Sequence, residues 1–164
     1  MKRAALLLLA FLVALASAQT ARAQEAIYVV RHAERLDQSS DSPLSTEGIG
    51  RAYRLRDMLR GAGVTHVFTS DLRRTIETAK PLAEALGLVP QQLPGADVRA
   101  LAARLTALTP RDRALVVGHS NTVPELLRAL NVTTPVTIGD TEYDNVFVVV
   151  PRKDSTPVLL RLKF

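Results

Sequence analysis

The chain alternates between short runs that are apolar throughout and longer stretches in which apolar residues recur every three or four positions. Residues 27–30 (Ile-Tyr-Val-Val), 64–69 (Val-Thr-His-Val-Phe-Thr) and 113–117 (Arg-Ala-Leu-Val-Val) are of the first kind and predict buried strands. Helical spacing follows in Ile49, Ala52, Leu55, Met58 and Leu59, and again in Leu72, Ile76, Ala79, Leu82, Ala83 and Leu86. It returns in Val98, Leu101, Ala102, Leu105 and Leu108, and in Leu126, Leu127 and Leu130. Ser45 or Thr46 caps the first helix, and Gly61 and Gly63 end it. Ser70 and Asp71 offer capping oxygens to the second, which Gly87 stops and Pro81 bends or divides. Residues 88–96 read as a connection with room for a short edge strand, and a third helix runs from Asp97 to near Pro110. Asn121 or Thr122 caps the fourth, with Pro124 in its first turn. Residues 145–150 and 158–162 predict two late strands joined around Pro151 to Pro157. Strands alternating with helices predict one three-layer α/β/α sandwich with a mainly parallel central sheet and an antiparallel edge strand.

The first 23 residues do not fit that pattern. Lys2 and Arg3 precede an unbroken apolar run from Ala4 to Ala16, and Ala16-Ser17-Ala18 and Ala21-Arg22-Ala23 fit a small-x-small cleavage site. The run rises roughly 20 Å as a helix at ~1.5 Å per residue, short of a ~30 Å hydrocarbon core. The expectation is therefore a signal peptide, residues 1–23, and a folded domain, residues 24–164, exported to the periplasm or the exterior without stable membrane insertion. Composition changes its meaning accordingly. The full chain carries 21 basic and 16 acidic residues, and losing Lys2, Arg3 and Arg22 leaves 18 against 16, a formal +2 in place of +5. No basic stripe points to nucleic acid. The absence of cysteine excludes thiol catalysis, thiolate metal sites and disulfide stabilisation.

Candidate chemistry lies at the strand ends. Arg31-His32-Ala33-Glu34 follows the first strand, Ser70-Asp71 with Arg73 and Arg74 follows the second, and Gly118-His119-Ser120-Asn121 follows the third. In a parallel sheet the loops after successive strands emerge on one edge, where α/β folds place ligands. Two histidines among arginines suit phosphate: guanidinium forks hold phosphoryl oxygens, and imidazole is a good nucleophile near neutral pH. Metal chemistry is disfavoured, because arginines around His32 and His119 repel a cation; no cofactor is implied. The nucleotide-hydrolase phosphate loop and the Gly-x-Ser-x-Gly nucleophile elbow are both absent. His66, inside a strand pattern, reads as structural.

These residues, in this order, resemble the histidine phosphatase superfamily, also called phosphoglycerate-mutase-like, in its small single-domain branch. Arg31-His32-Ala33-Glu34 resembles the Arg-His-Gly-Glu signature, and Leu44-Ser45-Thr46-Glu47-Gly48 resembles the Leu-Thr-x-x-Gly that opens the first helix. Residues 69–79 resemble the Ser-x-Leu-x-Arg-x-x-x-Thr-Ala stretch, Val117-Gly118-His119 the second histidine motif, and residues 142–146 the segment before the late strand. The resemblance implies that His32 is the nucleophile and becomes a phosphohistidine, with Arg31, Arg74 and His119 around the transferring group. Arg35 is a further candidate for phosphate binding. Glu34 is expected to bind a neighbouring arginine.

Ala33 replaces the signature glycine and Asp71 a common proline. Larger relatives also place a glutamate proton donor after the second helix, where residues 88–96 here contain no acid. Asp97 is the nearest replacement, competing with a role as helix cap, and Glu142 and Asp144 are more distant. The functional expectation is an exported phosphomonoesterase acting through phospho-His32 on a phosphorylated small molecule or envelope component. The alternatives are a catalytically weak phosphate-binding or envelope interaction protein and, less favoured, a phosphomutase.

Overall fold

A computed structural model describes residues 26–94, 97–152 and 155–164. The expected signal segment lies outside the described residues. The strands are β1 (Ala26–Arg31), β2 (His66–Ser70), β3 (Gln91–Leu93), β4 (Arg113–Gly118), β5 (Asn145–Val150) and β6 (Val158–Lys163). The helices are α1 (Thr46–Leu59), α2 (Arg73–Leu86), α3 (Val98–Thr106) and α4 (Thr122–Ala129). One sheet runs in the order β3-β2-β4-β1-β5-β6. β3, β2, β4 and β1 are parallel, β5 is antiparallel to β1, and β6 closes the sheet antiparallel to β5. The antiparallel part is thus wider than one edge strand.

Strand alternation divides the core in two. Ile27, Val29, Phe68, Ala114, Val116, Phe147 and Val149 face α3 and α4, packing with Val98, Leu105, Val123 and Leu126. Val30, Val67, Leu115, Val117, Val146 and Val148 face α1 and α2, packing with Leu55, Leu59, Ala79 and Leu82. The central strands are apolar on both faces because helices cover both.

Three local expectations change. α1 buries Gly48, Ala52, Leu55 and Leu59, whereas Ile49 is 48% and Met58 36% exposed; the buried stripe is rotated toward Gly48. Gly48 is required there, since a Cβ would collide with the backbone carbonyl of Glu34. α2 passes through Pro81 as one helix and ends on Gly87 at φ 65°. The third change concerns caps. Asp71 does not cap α2; the first helical N–H, of Arg73, donates to Asp41 Oδ1 at 2.8 Å, from the loop after β1. Asn121 makes no capping bond to α4 either, and Thr122 instead turns its hydroxyl back toward His119.

Candidate active site

β1 and β4 lie side by side with Arg31 level with Gly118, so both strands deliver their histidines at the same edge. The His32 N–H donates to the Gly118 carbonyl at 2.9 Å, and the two imidazoles sit edge to face with centroids 5.3 Å apart. The His119 N–H donates to Thr122 Oγ1 at 3.0 Å, fixing the turn from β4 into α4. α2 and α4 begin at this edge.

His32 is 4% exposed, and its Nδ1 lies 2.8 Å from the Ala33 carbonyl. A carbonyl only accepts, so Nδ1 carries the hydrogen and the lone pair of the neutral ring is on Nε2. Burial lowers the His32 pKa to about 3; the Ala33 carbonyl opposes this, while His119, Arg31 and Arg74 add to it. Burial, followed by Arg74 and Arg31, lowers His119 to about 4, with Asp71 pulling the other way. Both rings are neutral at pH 7, the form an imidazole nucleophile requires.

Arg31 and Arg74 lie close enough to act on both histidines. Arg31 Nη1 donates to the carbonyls of Gly139 and Asp140 at 2.8 and 2.9 Å, and the guanidinium lies 4.1 Å from the Tyr143 ring centroid. Arg74 Nη1 donates to the Ser40 carbonyl at 2.8 Å, and Arg35 Nη2 to Gln38 Oε1 at 2.6 Å. These hydrogen-bond partners are neutral, and the acids that act on the arginines, Asp41 on Arg74 and Asp37 on Arg35, do so without a direct ion pair. The buried Nε atoms of Arg31 and Arg74 have no hydrogen-bond partner among the described residues. Burial, then Arg35 and Arg31, lower the Arg74 pKa, with Asp41 pulling the other way. Arg73, the next residue, turns away to Glu77 at 3.3 Å.

Supporting contacts explain the rest of the first motif. Ala33 donates its N–H to Thr78 Oγ1 at 2.9 Å, and Thr78 donates to the Arg74 carbonyl at 2.7 Å, so one hydroxyl ties the His32 loop to α2. Ala33 is not among the positive-φ residues, so replacing the signature glycine introduces no left-handed strain. Glu34 binds Arg51 through both carboxylate oxygens. Burial pushes the Glu34 carboxyl up, but Arg51 outweighs it and holds the group below its usual range.

The remaining acids are occupied. Asp97 Oδ1 accepts from the Ala100 N–H at 2.9 Å and caps α3, although the residue lines a cavity of about 40 Å³ that His119, Ser70, Leu93 and Pro94 also line. Glu142 pairs with Arg161 at 3.2 Å and Asp144 with Lys163 at 2.6 Å. His66 and Asp112 form a histidine–aspartate pair, Nδ1 to Oδ1 3.9 Å, at the opposite edge. His66 is level with Ala114, five residues before His119 along β4, or roughly 16 Å at ~3.3 Å per residue. Sequence reasoning gave no role to two site residues, Tyr143 under Arg31 and Thr78 beneath Ala33, and took Ser70 for a helix cap, although its Oγ lies 3.1 Å from His119 Nε2. All three lie in motifs the sequence displays, residues 69–79 and 142–146.

A family model described as the histidine phosphatase superfamily, branch 1, matches residues 27–97, from β1 to the cap of α3. Among curated proteins, "Probable phosphoglycerate mutase GpmB" of Yersinia pestis is 44% identical over 69 residues, covering 38% of this chain and 32% of the relative. The matched stretch thus spans about a third of that relative's length. The solved structure of the protein histidine phosphatase SixA complexed with tungstate superposes with a TM-score of 0.70, at 23% identity, covering 84% of this chain and 96% of that one. Phosphoserine phosphatase from Entamoeba histolytica, in complex with 3-phosphoglyceric acid, gives 0.64 at 14% identity, covering 83% and 95%. At these identities the structural likeness is one of fold, and the fold is that of the histidine phosphatases. Over residues 27–97 the chain is similar in sequence to the histidine phosphatase superfamily, branch 1, and the domain as a whole has the fold of those proteins.

Proposed function

We propose that this protein is a phosphatase that moves a phosphoryl group from a small phosphorylated substrate to His32 and then to water. Nε2 of His32 attacks phosphorus as the bond to the leaving group breaks; water then attacks the phosphohistidine, releasing phosphate and restoring the neutral ring. Arg31 and Arg74 offset the charge of the three non-bridging oxygens through both transfers, with His119 beside them.

One observation supports this reading most. The arginines nearest the two histidines are bonded only to neutral acceptors, with buried Nε–H groups unused, around an imidazole whose Nε2 lone pair is free. Part-buried guanidinium groups whose hydrogen-bond acceptors are all neutral suit a dianionic ligand. Export is part of the proposal on the pattern of residues 1–23 alone.

Turnover of an aryl phosphate with a burst of phenol, abolished in His32→Ala, is the expected result. Intact protein that binds phosphate yet hydrolyses no phosphoester or phosphoramidate contradicts the proposal. Transfer to a second hydroxyl of the substrate, without release of phosphate, would make the protein a mutase instead.

A further inference from the structure

The hydroxyl of Ser70 lies among three polar neighbours, Thr75 Oγ1, the Leu72 N–H and His119 Nε2. Thr75 Oγ1 lies 2.8 Å from the Leu72 carbonyl and 3.2 Å from the Ser70 carbonyl, both acceptors only, so the backbone offers the Thr75 proton two acceptors. With the Thr75 proton there, the 2.8 Å contact between Ser70 Oγ and Thr75 Oγ1 uses the proton of Ser70. The Leu72 N–H also points at Ser70 Oγ, at 3.3 Å. With its own proton spent, Ser70 meets His119 Nε2 at 3.1 Å as an acceptor. In that arrangement the hydrogen of neutral His119 belongs on Nε2. Its Nδ1 has no partner among the described residues.

We infer that Ser70 is a positioning residue that holds His119 in the Nε2–H tautomer, so that Nδ1 is the nitrogen His119 offers to a bound phosphoryl group. The inference rests on the proposed phosphoryl transfer at His32 and adds to it. The two site histidines then have opposite tautomers, with lone pairs on Nε2 of His32 and Nδ1 of His119. Arg31, Arg74 and His32 lie around His119, and Asp71 is the acid that acts on it. An arriving dianion offsets the arginines, and the proton His119 then gains goes to Nδ1 while Nε2–H stays on Ser70. Doubly protonated, the ring spans from Ser70 to a phosphoryl oxygen. The device supplies a donor where Asp97, Glu142 and Asp144 are already engaged.

Nitrogen-15 correlation spectra of the histidine rings test this directly on the whole protein. The expected result is Nε2 of the protonated type and Nδ1 of the lone-pair type in free His119, with Nδ1 gaining a proton on addition of orthovanadate. Ser70→Ala should give a mixture of tautomers and weaken vanadate binding about tenfold, the size of one hydrogen bond to a charged group. Thr75→Val, nearly the same shape, frees the Ser70 proton to point at His119 and should drive the ring toward the Nδ1–H form. Ser70→Thr, which keeps the hydroxyl, should restore the native tautomer. A native protein with Nδ1–H on His119 overturns the inference, as does a Ser70→Ala variant with unchanged tautomer and vanadate affinity. Because these readouts need no turnover, they are separable from failure of the phosphatase reading, which shows as missing phosphohistidine.

Discussion

The backbone N–H of His32 is bonded to the carbonyl of Gly118, the residue immediately before His119. One backbone bond thus sets the offset between the two imidazoles, and the sheet register holds the site. A Cβ on Gly118 would stand 3.0 Å from Thr122 Oγ1 and 3.2 Å from Val123 Cγ2. Gly118→Ala is therefore expected to push α4 away and strain the Thr122 bond to His119. Chemical denaturation should show a loss of about 1–3 kcal/mol, and kcat should fall more than KM changes.

Arg74 holds the loop after β1 through Ser40 with one nitrogen, while its buried Nε has no partner among the described residues. A lysine there supplies one point charge and no fork. Arg74→Lys should keep the fold but raise KM for a phosphoester about tenfold or more, read from initial rates, and should weaken inhibition by inorganic phosphate in parallel.

Glu34, two residues after His32, and Arg51, each with 14% of the side chain exposed, form an ion pair beside the site. Removing Arg51 leaves a carboxylate with its best partner gone. Arg51→Met should cost about 1–3 kcal/mol, less than for a fully buried pair because of that exposure. Since Arg51 holds the Glu34 carboxyl below its usual range, the pair's contribution disappears as pH falls through the folded value, and urea midpoints of variant and native protein should converge in acid.

The histidines impose a second pH dependence. His32 and His119 stay neutral in the fold down to about 3 and about 4, whereas an unfolded histidine protonates near 6.5. The unfolded chain thus binds more protons between those values. Stability is full above pH 6.5 and declines as pH falls through it toward 4. Urea midpoints should drop between pH 7 and 5, and His32→Gln should flatten part of that decline.

The sheet and the convergence of Arg31, His32, Arg74 and His119 at one edge were legible because each residue follows a recognisable strand or opens a helix after one. Hydroxyl directions were not. Ser70 and Asp71 look like a cap for α2, yet the cap comes from Asp41, 32 positions before Arg73, and this frees Ser70 to face His119. Local propensity cannot anticipate an oxygen delivered by a distant loop. For the same reason Asn121 looked like a cap although Thr122 holds the turn. The tilt of α1 was hidden because the buried position is a glycine, Gly48, which carries no hydrophobic signal.

The central claim is that His32 Nε2 accepts the phosphoryl group. Rapid quenching of the native protein with excess aryl phosphate, followed by peptide mass spectrometry at alkaline pH, tests it most directly. A single phosphate, stable in base and lost in acid, on the peptide containing His32 and missing in His32→Ala is the predicted result. Hydrolysis at full rate with no phosphorylated His32 at any quench time, or with the phosphate on His119 or Ser70, would contradict it.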